Sequence, residues 1–208
     1  MLTKLFAAAA ATTLLVGCAY MAEPVAVESY DIATSYGSKL HGKYLLYVDG
    51  ARLDTTVKPA DMSCAAHTYP LVLSQPLADG MTGAFSSLVD ELQVVTAPVA
   101  SADLKAQGAR GMITIQAQDV QASLRALPGY WSSGMDTSVQ VIMSITVDGR
   151  SGRVFGTTVT GDGKGQGDAG FACDGGAKSL SDAGAQALRQ AMTNAAEAVA
   201  NSDRVRAM

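Results

Sequence analysis

Histidine is scarce in this chain, because His41 and His67 are the only two among 208 residues. A serine triad or a zinc centre would have to draw on these two side chains, and the spacings CxxC, HExxH and GxSxG do not occur. His67 with a nearby nucleophile is the remaining arrangement for a hydrolase. The scarcity favours a protein that is not an enzyme, and we expect neither a cofactor nor a bound metal ion.

Basic residues are fewer than acidic ones, and long apolar runs are scarce. The chain has 15 basic against 19 acidic residues, whereas nucleic-acid-binding proteins carry a basic footprint. The same balance argues against an anionic lipid surface as a partner. Beyond residue 18 no apolar run approaches the roughly 20 residues that span a bilayer, so we expect a body that lies outside the membrane.

The first eighteen residues have the order of a bacterial export signal. Lys4 precedes an apolar stretch from Leu5 to Val16, and Gly17 and Cys18 follow. The apolar stretch is too short for a transmembrane helix and matches a cleaved signal peptide. Leu15-Val16-Gly17-Cys18 resembles the lipobox of bacterial lipoproteins, in which the cysteine thiol is joined to diacylglycerol. An ordinary signal peptide, cut after an alanine, is the alternative.

The export signal sets the predicted domain organisation. We expect a signal peptide over residues 1–17, a lipidated tether over 18–38 and one periplasmic domain over 39–208. Removal of the signal takes away Lys4 and leaves 14 basic and 19 acidic residues, a net charge of −5. Ala19 follows the lipidated cysteine, and by resemblance to sorted lipoproteins this favours the outer membrane.

Cys64 and Cys173 are the cysteines that remain once Cys18 is lipidated. A single pair in an oxidising compartment is usually a disulfide. Closing a loop of about 110 residues would stabilise the fold by at most about 4–5 kcal/mol. Two buried free thiols are the alternative.

Hydrophobic periodicity predicts an α+β fold, with a mostly antiparallel sheet of four to five strands and two helices packed on one of its faces. Ser74 or Gln75 is a candidate cap for the first helix, and Ser179 or Ser181 for the second. Residues 54–73 read as an irregular excursion. The predicted strands are 43–53, 93–97, 111–124, 139–147 and 153–160, and the predicted helices have apolar stripes over 77–92 and 180–199.

Two further segments have competing interpretations. Gly165 to Gly170 match GxGxxG, which binds pyrophosphate between a strand and a helix, but the antiparallel surroundings favour a flexible loop. Tyr130 and Trp131 follow Pro128-Gly129 in a predicted loop. Such a pair is typical of a partner contact, because tryptophan combines area with a hydrogen-bond donor, and it is equally typical of a plug over a small core.

The outline as a whole resembles the YajG-like group of small bacterial lipoproteins. The resemblance rests on the lipobox and on the segments GKYLLYVDGARL, LVDELQVV and ALRQAMTNAAEAVANSDRV. The outline is also similar to that of the auxiliary lipoproteins of ABC-type envelope transport systems. These resemblances imply a non-enzymatic envelope role and transfer no functional residue.

The leading functional hypothesis is therefore a non-catalytic outer-membrane lipoprotein that binds a periplasmic or outer-membrane protein in envelope assembly or transport. A carrier of a lipid or other apolar ligand, lodged between helices and sheet, is the second. A periplasmic hydrolase that uses His67 is the third.

Overall fold

Seven strands and three α-helices form the body of the protein in a computed structural model, which describes residues 37–60, 64–129, 134–170 and 173–208. The strands are β1 (Leu40–Asp49), β2 (Thr55–Val57), β3 (Tyr69–Leu71), β4 (Val89–Val94), β5 (Gly111–Leu127), β6 (Gly134–Gly149) and β7 (Gly152–Asp168). The helices are α1 (Ser74–Leu88), α2 (Gly175–Ala200) and α3 (Asp203–Arg206).

Five strands form one mixed sheet in the order β4-β1-β5-β6-β7. Strand β1 runs parallel to both β4 and β5, whereas β5, β6 and β7 are antiparallel and much longer. The parallel β1–β4 pair follows from the chain path, since helix α1 connects the two strands and returns the chain to the end where β1 begins. The predicted α+β class is confirmed, and its sheet is mixed.

The β6–β7 hairpin forms where the alternating pattern predicts it. The five alternating apolar residues of β6 point toward the helices and are fully or almost fully buried. Gly152, with φ of 114°, is the first residue of β7 after the turn at Arg150 and Ser151, and a glycine adopts this backbone without strain. The buried residues of this strand are Val139, Val141, Met143, Ile145 and Val147.

Helix α1 ends earlier than its apolar stripe predicts. Val89 is already extended, with φ −116° and ψ 160°, and Val89 to Val94 pair with β1. The prediction of a strand over 93–97 is therefore wrong in its bounds. An apolar residue at Val89 or Leu92 suits either a helix face or a strand, and the parallel pairing with β1 decides in favour of the strand.

The N-terminus of α1 is capped by a residue twenty positions earlier. The Asp54 carboxylate accepts the main-chain N–H groups of Leu73 and Ser74, each at 2.9 Å, and the Ser74 hydroxyl at 2.7 Å. A carboxylate here satisfies unpaired donors and complements the helix dipole. The predicted caps, Ser74 and Gln75, do not perform this role. The excursion over 54–73 is also more ordered than predicted, since β2 and β3 pair within it.

The glycine-rich segment corrects the sequence interpretation most clearly. Residues 161–168 continue β7 and do not form the predicted loop. Gly161, Gly163 and Gly165 occupy the buried positions of the strand, and a Cβ at any of them would lie under 3.0 Å from main-chain atoms of α2. These glycines therefore let the helix backbone rest directly on the strand.

Gly161, Gly163 and Gly165 form a glycine stripe along β7, and helix α2 places a small residue opposite it at every fourth position. The repeats agree in length, because two strand residues advance about 6.6 Å and four helix residues about 6.0 Å. The helix begins at Gly175, and neither Ser179 nor Ser181 caps it. Buried Ser179 instead faces Thr137 of β6, with 2.7 Å between their hydroxyl oxygens. The matching helix residues are Ser179, Ala183, Ala187 and Ala191.

Amide side chains of α2 cover the outer edge of β7. The Gln190 and Gln186 side-chain oxygens accept the main-chain N–H groups of Asp162 and Lys164 at 2.8 and 2.9 Å. Asn194 donates to the Thr160 carbonyl at 2.9 Å. An uncovered edge strand can pair with another chain, so these bonds protect the longest edge of the sheet.

Among the described residues, no helix is both long enough and apolar enough to cross a bilayer.

Candidate functional site

Three of the predicted site residues lie outside the part of the chain that the structure describes. Cys18, the predicted lipidation site, belongs to residues 1–36, and Tyr130 and Trp131 belong to 130–133. Their roles as lipid anchor and partner contact stay predictions. The described body begins at Gly37.

The predicted disulfide between Cys64 and Cys173 is confirmed. It joins residues 109 positions apart, with their Cα atoms 6.0 Å apart, and ties the excursion after β2 to the chain just before α2. Cys64 is 2% exposed, and the Tyr69 hydroxyl donates to the Cys173 carbonyl at 2.6 Å. Cys173 also has a left-handed backbone, with φ of 64°. The bond therefore sits in a closed part of the core.

His67 lies beside this disulfide and not beside a free thiol. Its main-chain N–H donates to the Cys64 carbonyl at 3.0 Å, and its ring centroid is 6.5 Å from that of Tyr69. Because the Cys64 sulfur is bonded to Cys173, it does not offer the thiolate that a cysteine hydrolase uses. Within the described ranges, no three or more His, Cys, Asp or Glu side chains gather as a metal site would require.

The helix–sheet interface at β7 does not provide the room that an apolar ligand needs. The small residues on both sides suggested space, but at Gly161, Gly163 and Gly165 even one added carbon would meet the α2 backbone. The side chains on both faces are small because the strand and helix backbones are in contact there. This part of the interface is packed and closed.

A cleft of about 530 Å³ opens at the end of the sheet where β1 and β5 begin and where β6 turns into β7. Lys43, Arg110 and Arg150 contribute its cationic side chains, and its lining includes no carboxylate side chain. Three glycines bring main chain to the surface of the cleft. The full lining is Gly42, Lys43, Gly108, Arg110, Gly149, Arg150, Ser151, Val154 and Met208.

Main-chain oxygens hold the two arginines of this cleft. Arg150 Nε donates to the Ala109 carbonyl at 3.0 Å, and Arg110 Nη1 donates to the His41 carbonyl at 3.4 Å. Arg110 Nη2 donates to a main-chain oxygen of Met208. Arg110 Nε is buried and finds no hydrogen-bond acceptor among the described residues. Both arginines are thus fixed in position, and the Nε–H of Arg110 keeps an unmet demand for an acceptor.

Lys43 has a weaker and more exposed partner. Its ammonium lies 3.8 Å from the Glu91 carboxylate, which is 67% exposed, whereas the Lys43 side chain is 23% exposed. Exposed pairs at this distance contribute little, roughly 0–1 kcal/mol. Lys43 therefore keeps most of its capacity to attract an anion into the cleft.

Titratable groups near the cleft respond to its charge. Burial raises the pKa of Tyr44, and the positive charges of Arg110 and Arg206 partly oppose that increase. The Gly42 amide and the His41 ring, which donate to the Asp90 carboxylate, lower the pKa of Asp90. The end of the sheet thus combines the buried phenol of Tyr44, several arginines and the carboxylate of Asp90, which the Gly42 amide and the His41 ring hold in place.

The chain enters the described body beside this cleft. The Ser38 carbonyl accepts Arg206 Nη1 at 3.1 Å, while Arg206 Nε donates to the Ala200 carbonyl at 2.7 Å. Lys39 Nζ lies 3.4 Å from the Ser86 carbonyl at the end of α1.

Sequence reasoning missed the cleft because its cations are far apart along the chain and follow no local pattern.

Comparison with known proteins yields a likeness of fold. No protein-family model matches the chain, and no curated protein matches it. Protein XCC0632 of Xanthomonas campestris, assigned to the DUF330 family, has a crystal structure that is similar with a TM-score of 0.52 and 12% identity over 86% of this chain and 92% of that one. The hypothetical protein CT253 of Chlamydia trachomatis gives a TM-score of 0.31 and 9% identity over 61% and 73%, too weak a likeness to carry an argument.

No family match confirms the resemblance to the YajG-like lipoproteins, which stays a prediction. At 12% identity the likeness to XCC0632 concerns architecture and transfers neither residues nor activity. The chain therefore has an α+β fold similar to that of XCC0632 from the DUF330 family.

Proposed function

We propose that this protein is a non-catalytic lipoprotein, anchored to the outer membrane through Cys18, whose periplasmic body is a binding or accessory subunit in envelope assembly or transport. The Cys64–Cys173 disulfide is the observation that carries the proposal. Structural disulfides persist in oxidising compartments such as the periplasm and are rare in the cytosol. The bond therefore supports export, which the signal-like first residues also favour.

The three cysteines divide into two functions under this proposal. Cys64 and Cys173 form the buried cross-link, and Cys18 follows the apolar stretch at the point where a lipidating enzyme would meet it. Each buried CH₂ of an attached acyl chain contributes about 0.8 kcal/mol, so several chains give an anchor that hardly dissociates. The body then acts beside a bilayer without crossing it.

A binding role, not a catalytic one, fits the side chains that the fold brings together. The cleft at the start of β1 and β5 presents three cations but neither a nucleophile with a base nor a carboxylate pair. Those are the arrangements that acyl transfer and glycoside hydrolysis require. Positioned charge without such groups supports recognition.

Fatty-acid labelling tests the anchor. Cells that express the full chain are grown with an alkyne-tagged fatty acid, and the protein is isolated and examined for the tag. We expect labelling of the parent and of a Cys64→Ala/Cys173→Ala variant, and no labelling of Cys18→Ser. Release of Cys18→Ser from the membrane fraction should accompany that loss. An untagged parent, or a Cys18→Ser variant that keeps the tag, would refute the proposed anchor.

Cross-linking in intact cells tests the accessory role. The predicted partner contact is Tyr130 with Trp131, and Val94 of the edge strand β4, 54% exposed, offers a matched apolar control. We expect the parent and Val94→Ala to form the same cross-linked species with an envelope protein. Tyr130→Ala/Trp131→Ala should reduce its yield. Failure of the parent to form any such species would contradict the accessory role and leave the anchor to be judged by labelling.

A further inference from the structure

The described body gathers cations at one end of its long strands. Strand β6 has 16 residues, and at about 3.3 Å per residue it separates its two ends by roughly 50 Å. The end at which β1 and β5 begin, called the basic end, carries Lys39, Lys43, Arg110, Arg150, Arg153, Arg204 and Arg206 against Asp90, Glu91, Asp148 and Asp203. The opposite end has a balanced set, with Asp136, Asp168, Asp174 and Asp182 against Lys58, Arg125, Lys164 and Lys178.

Two cations of the basic end are held by neutral groups and not by carboxylates. Lys39 donates to the Ser86 carbonyl and Arg150 to the Ala109 carbonyl. Arg204 is exposed on α3 and lines a second cleft of about 530 Å³, which adjoins the first at Val154. By contrast, Arg153 is paired closely with Asp148, at 2.7 Å. The excess of positive charge therefore lies around the Lys43–Arg110–Arg150 cleft.

Carboxylates away from the basic end are held by amides. Side-chain amides of Gln140, Gln166 and Gln121 donate to Asp162, Asp136 and Asp119 at 2.8, 3.4 and 3.1 Å. An amide fixes a carboxylate without neutralising it. These negative charges thus lie from the middle of the sheet toward the opposite end, and the basic end keeps an excess of positive charge although the summed charge is negative.

The place where the chain enters the body gives this separation a direction. Ser38 is bonded to Arg206, so a tether that arrives from Cys18 meets the body at the basic end. The 18 residues between Cys18 and Gly37 can span at most about 60 Å when fully extended. A lipid anchor at Cys18 therefore joins the body at the basic end, and a tether of this length allows that end to reach the bilayer.

We propose that the basic end docks on an anionic phospholipid surface, with a headgroup phosphate entering the cleft between Lys43, Arg110 and Arg150. The buried Arg110 Nε–H, which has no acceptor among the described residues, points to an anion as the occupant. Anionic headgroups attract clustered Lys and Arg near a membrane surface. The docking rests on the proposed anchor for its cellular setting, and the opposite end would then face the periplasm and its protein partners.

Vesicle co-sedimentation tests the docking without the anchor. The chain from residue 18 onward is used with Cys18→Ser, since its buried core lies wholly between Leu40 and Val205. The probes are phosphatidylcholine vesicles with and without phosphatidylglycerol. We expect binding to the mixed vesicles only. Raising the ionic strength from about 0.1 M to about 1 M, which shortens the Debye length from about 10 Å to about 3 Å, should abolish that binding.

A matched pair of variants locates the surface. The first is Lys39→Gln/Arg150→Gln/Arg204→Gln, which changes exposed cations of the basic end. The second makes the same change in charge at the opposite end and is Lys58→Gln/Arg125→Gln/Lys164→Gln. Each cation near an anionic surface contributes about fivefold in affinity. We therefore expect the first variant to lose roughly a hundredfold and the second to bind as the parent does.

The outcomes separate this inference from the proposed function. Equal losses in the two variants, or equal binding of the parent to neutral and mixed vesicles, would overturn the docking while leaving the labelling result untouched. Absence of fatty-acid labelling together with intact, end-specific vesicle binding would overturn the anchor and keep the docking. Circular dichroism of both variants checks that their folds are unchanged.

Discussion

Gly163→Ala is the sharpest test of how the sheet and helix α2 fit together. Gly163 lies at a buried position of β7, and a Cβ built there meets the Ala183 carbonyl oxygen and the Ala187 amide nitrogen, both under 3.0 Å. Both are main-chain atoms in the middle of a 26-residue helix. They cannot rotate away as a side chain would. The helix must therefore move off the sheet or the strand must bend.

The expected cost follows from this geometry. Overpacking of a core costs about 1–3 kcal/mol, and immovable main-chain contacts place Gly163→Ala at or above the upper figure. A glycine-to-alanine change also stabilises by about 0.4–1 kcal/mol through the unfolded chain, which offsets part of the cost. For a protein of this size, a net loss of about 2–3 kcal/mol lowers Tm by roughly 4–12 °C.

Gly167→Ala provides the matched control. Gly167 lies in the same strand four residues further on, and the nearest atom to an added Cβ there is the Ser179 Cβ at 4.0 Å, an ordinary contact. We expect its stability to equal or slightly exceed that of the parent. Thermal and urea unfolding, followed by circular dichroism on the chain with Cys18→Ser, compares the two. Equal midpoints for the two variants would refute the close-packing explanation of the glycine stripe.

Three further predictions concern the core and the basic end. Cys64→Ala/Cys173→Ala should lower the free energy of unfolding by about 2–5 kcal/mol in urea titration, and a reducing agent should then have no further effect on that variant. Thr137→Val should cost about 1–3 kcal/mol because it removes the hydroxyl bonded to buried polar groups of β7 and α2, whereas exposed Thr160→Val should change the unfolding midpoint little. The lowered pKa of Asp90 means that its stabilising contribution is present at neutral pH and is lost as pH falls below the ordinary value of 3.8 and through the lower folded value. Asp90→Asn should therefore flatten the acid limb of a plot of urea midpoint against pH, and an unchanged limb would count against this assignment.

Local pattern was sufficient for much of the fold. The alternation of β6 predicted a hairpin because a period of two reports one buried face, whatever covers it. The apolar stripe of α1 likewise predicted a helix, and the scarcity of cysteine identified Cys64 and Cys173 as partners. These features depend on neighbours in the sequence or on simple counting. They could therefore be interpreted before any tertiary contact was known.

The bounds of elements were less accessible for a physical reason. At Val89 the chain can continue a helix or begin a strand, and the choice depends on the parallel pairing with Leu40, nearly fifty residues earlier. The cap of α1 has the same character, because Asp54 is distant in sequence from Ser74. Local preferences in such places are nearly balanced, and long-range contacts decide between them.

The candidate site required tertiary structure even more strongly. Lys43 lies in β1, Arg110 precedes β5 and Arg150 follows β6. They become neighbours only when β1, β5 and the β6–β7 turn align at one end of the sheet. A net charge carries no information about position, so the negative sum concealed the basic end. No spacing in the sequence indicates that these cations share a cleft.

The sequence by itself determined the compositional and periodic features of this protein: a signal-like start with a cysteine at its end, two further cysteines for one cross-link, and alternating strands with two amphipathic helices. Only the tertiary structure decided that the glycine run is a strand in contact with a helix backbone and that cations distant in the sequence share one end of the sheet. The reason is that periodicity is a property of neighbouring residues. Close packing and clustering of charge are properties of distances between residues that the chain itself holds far apart.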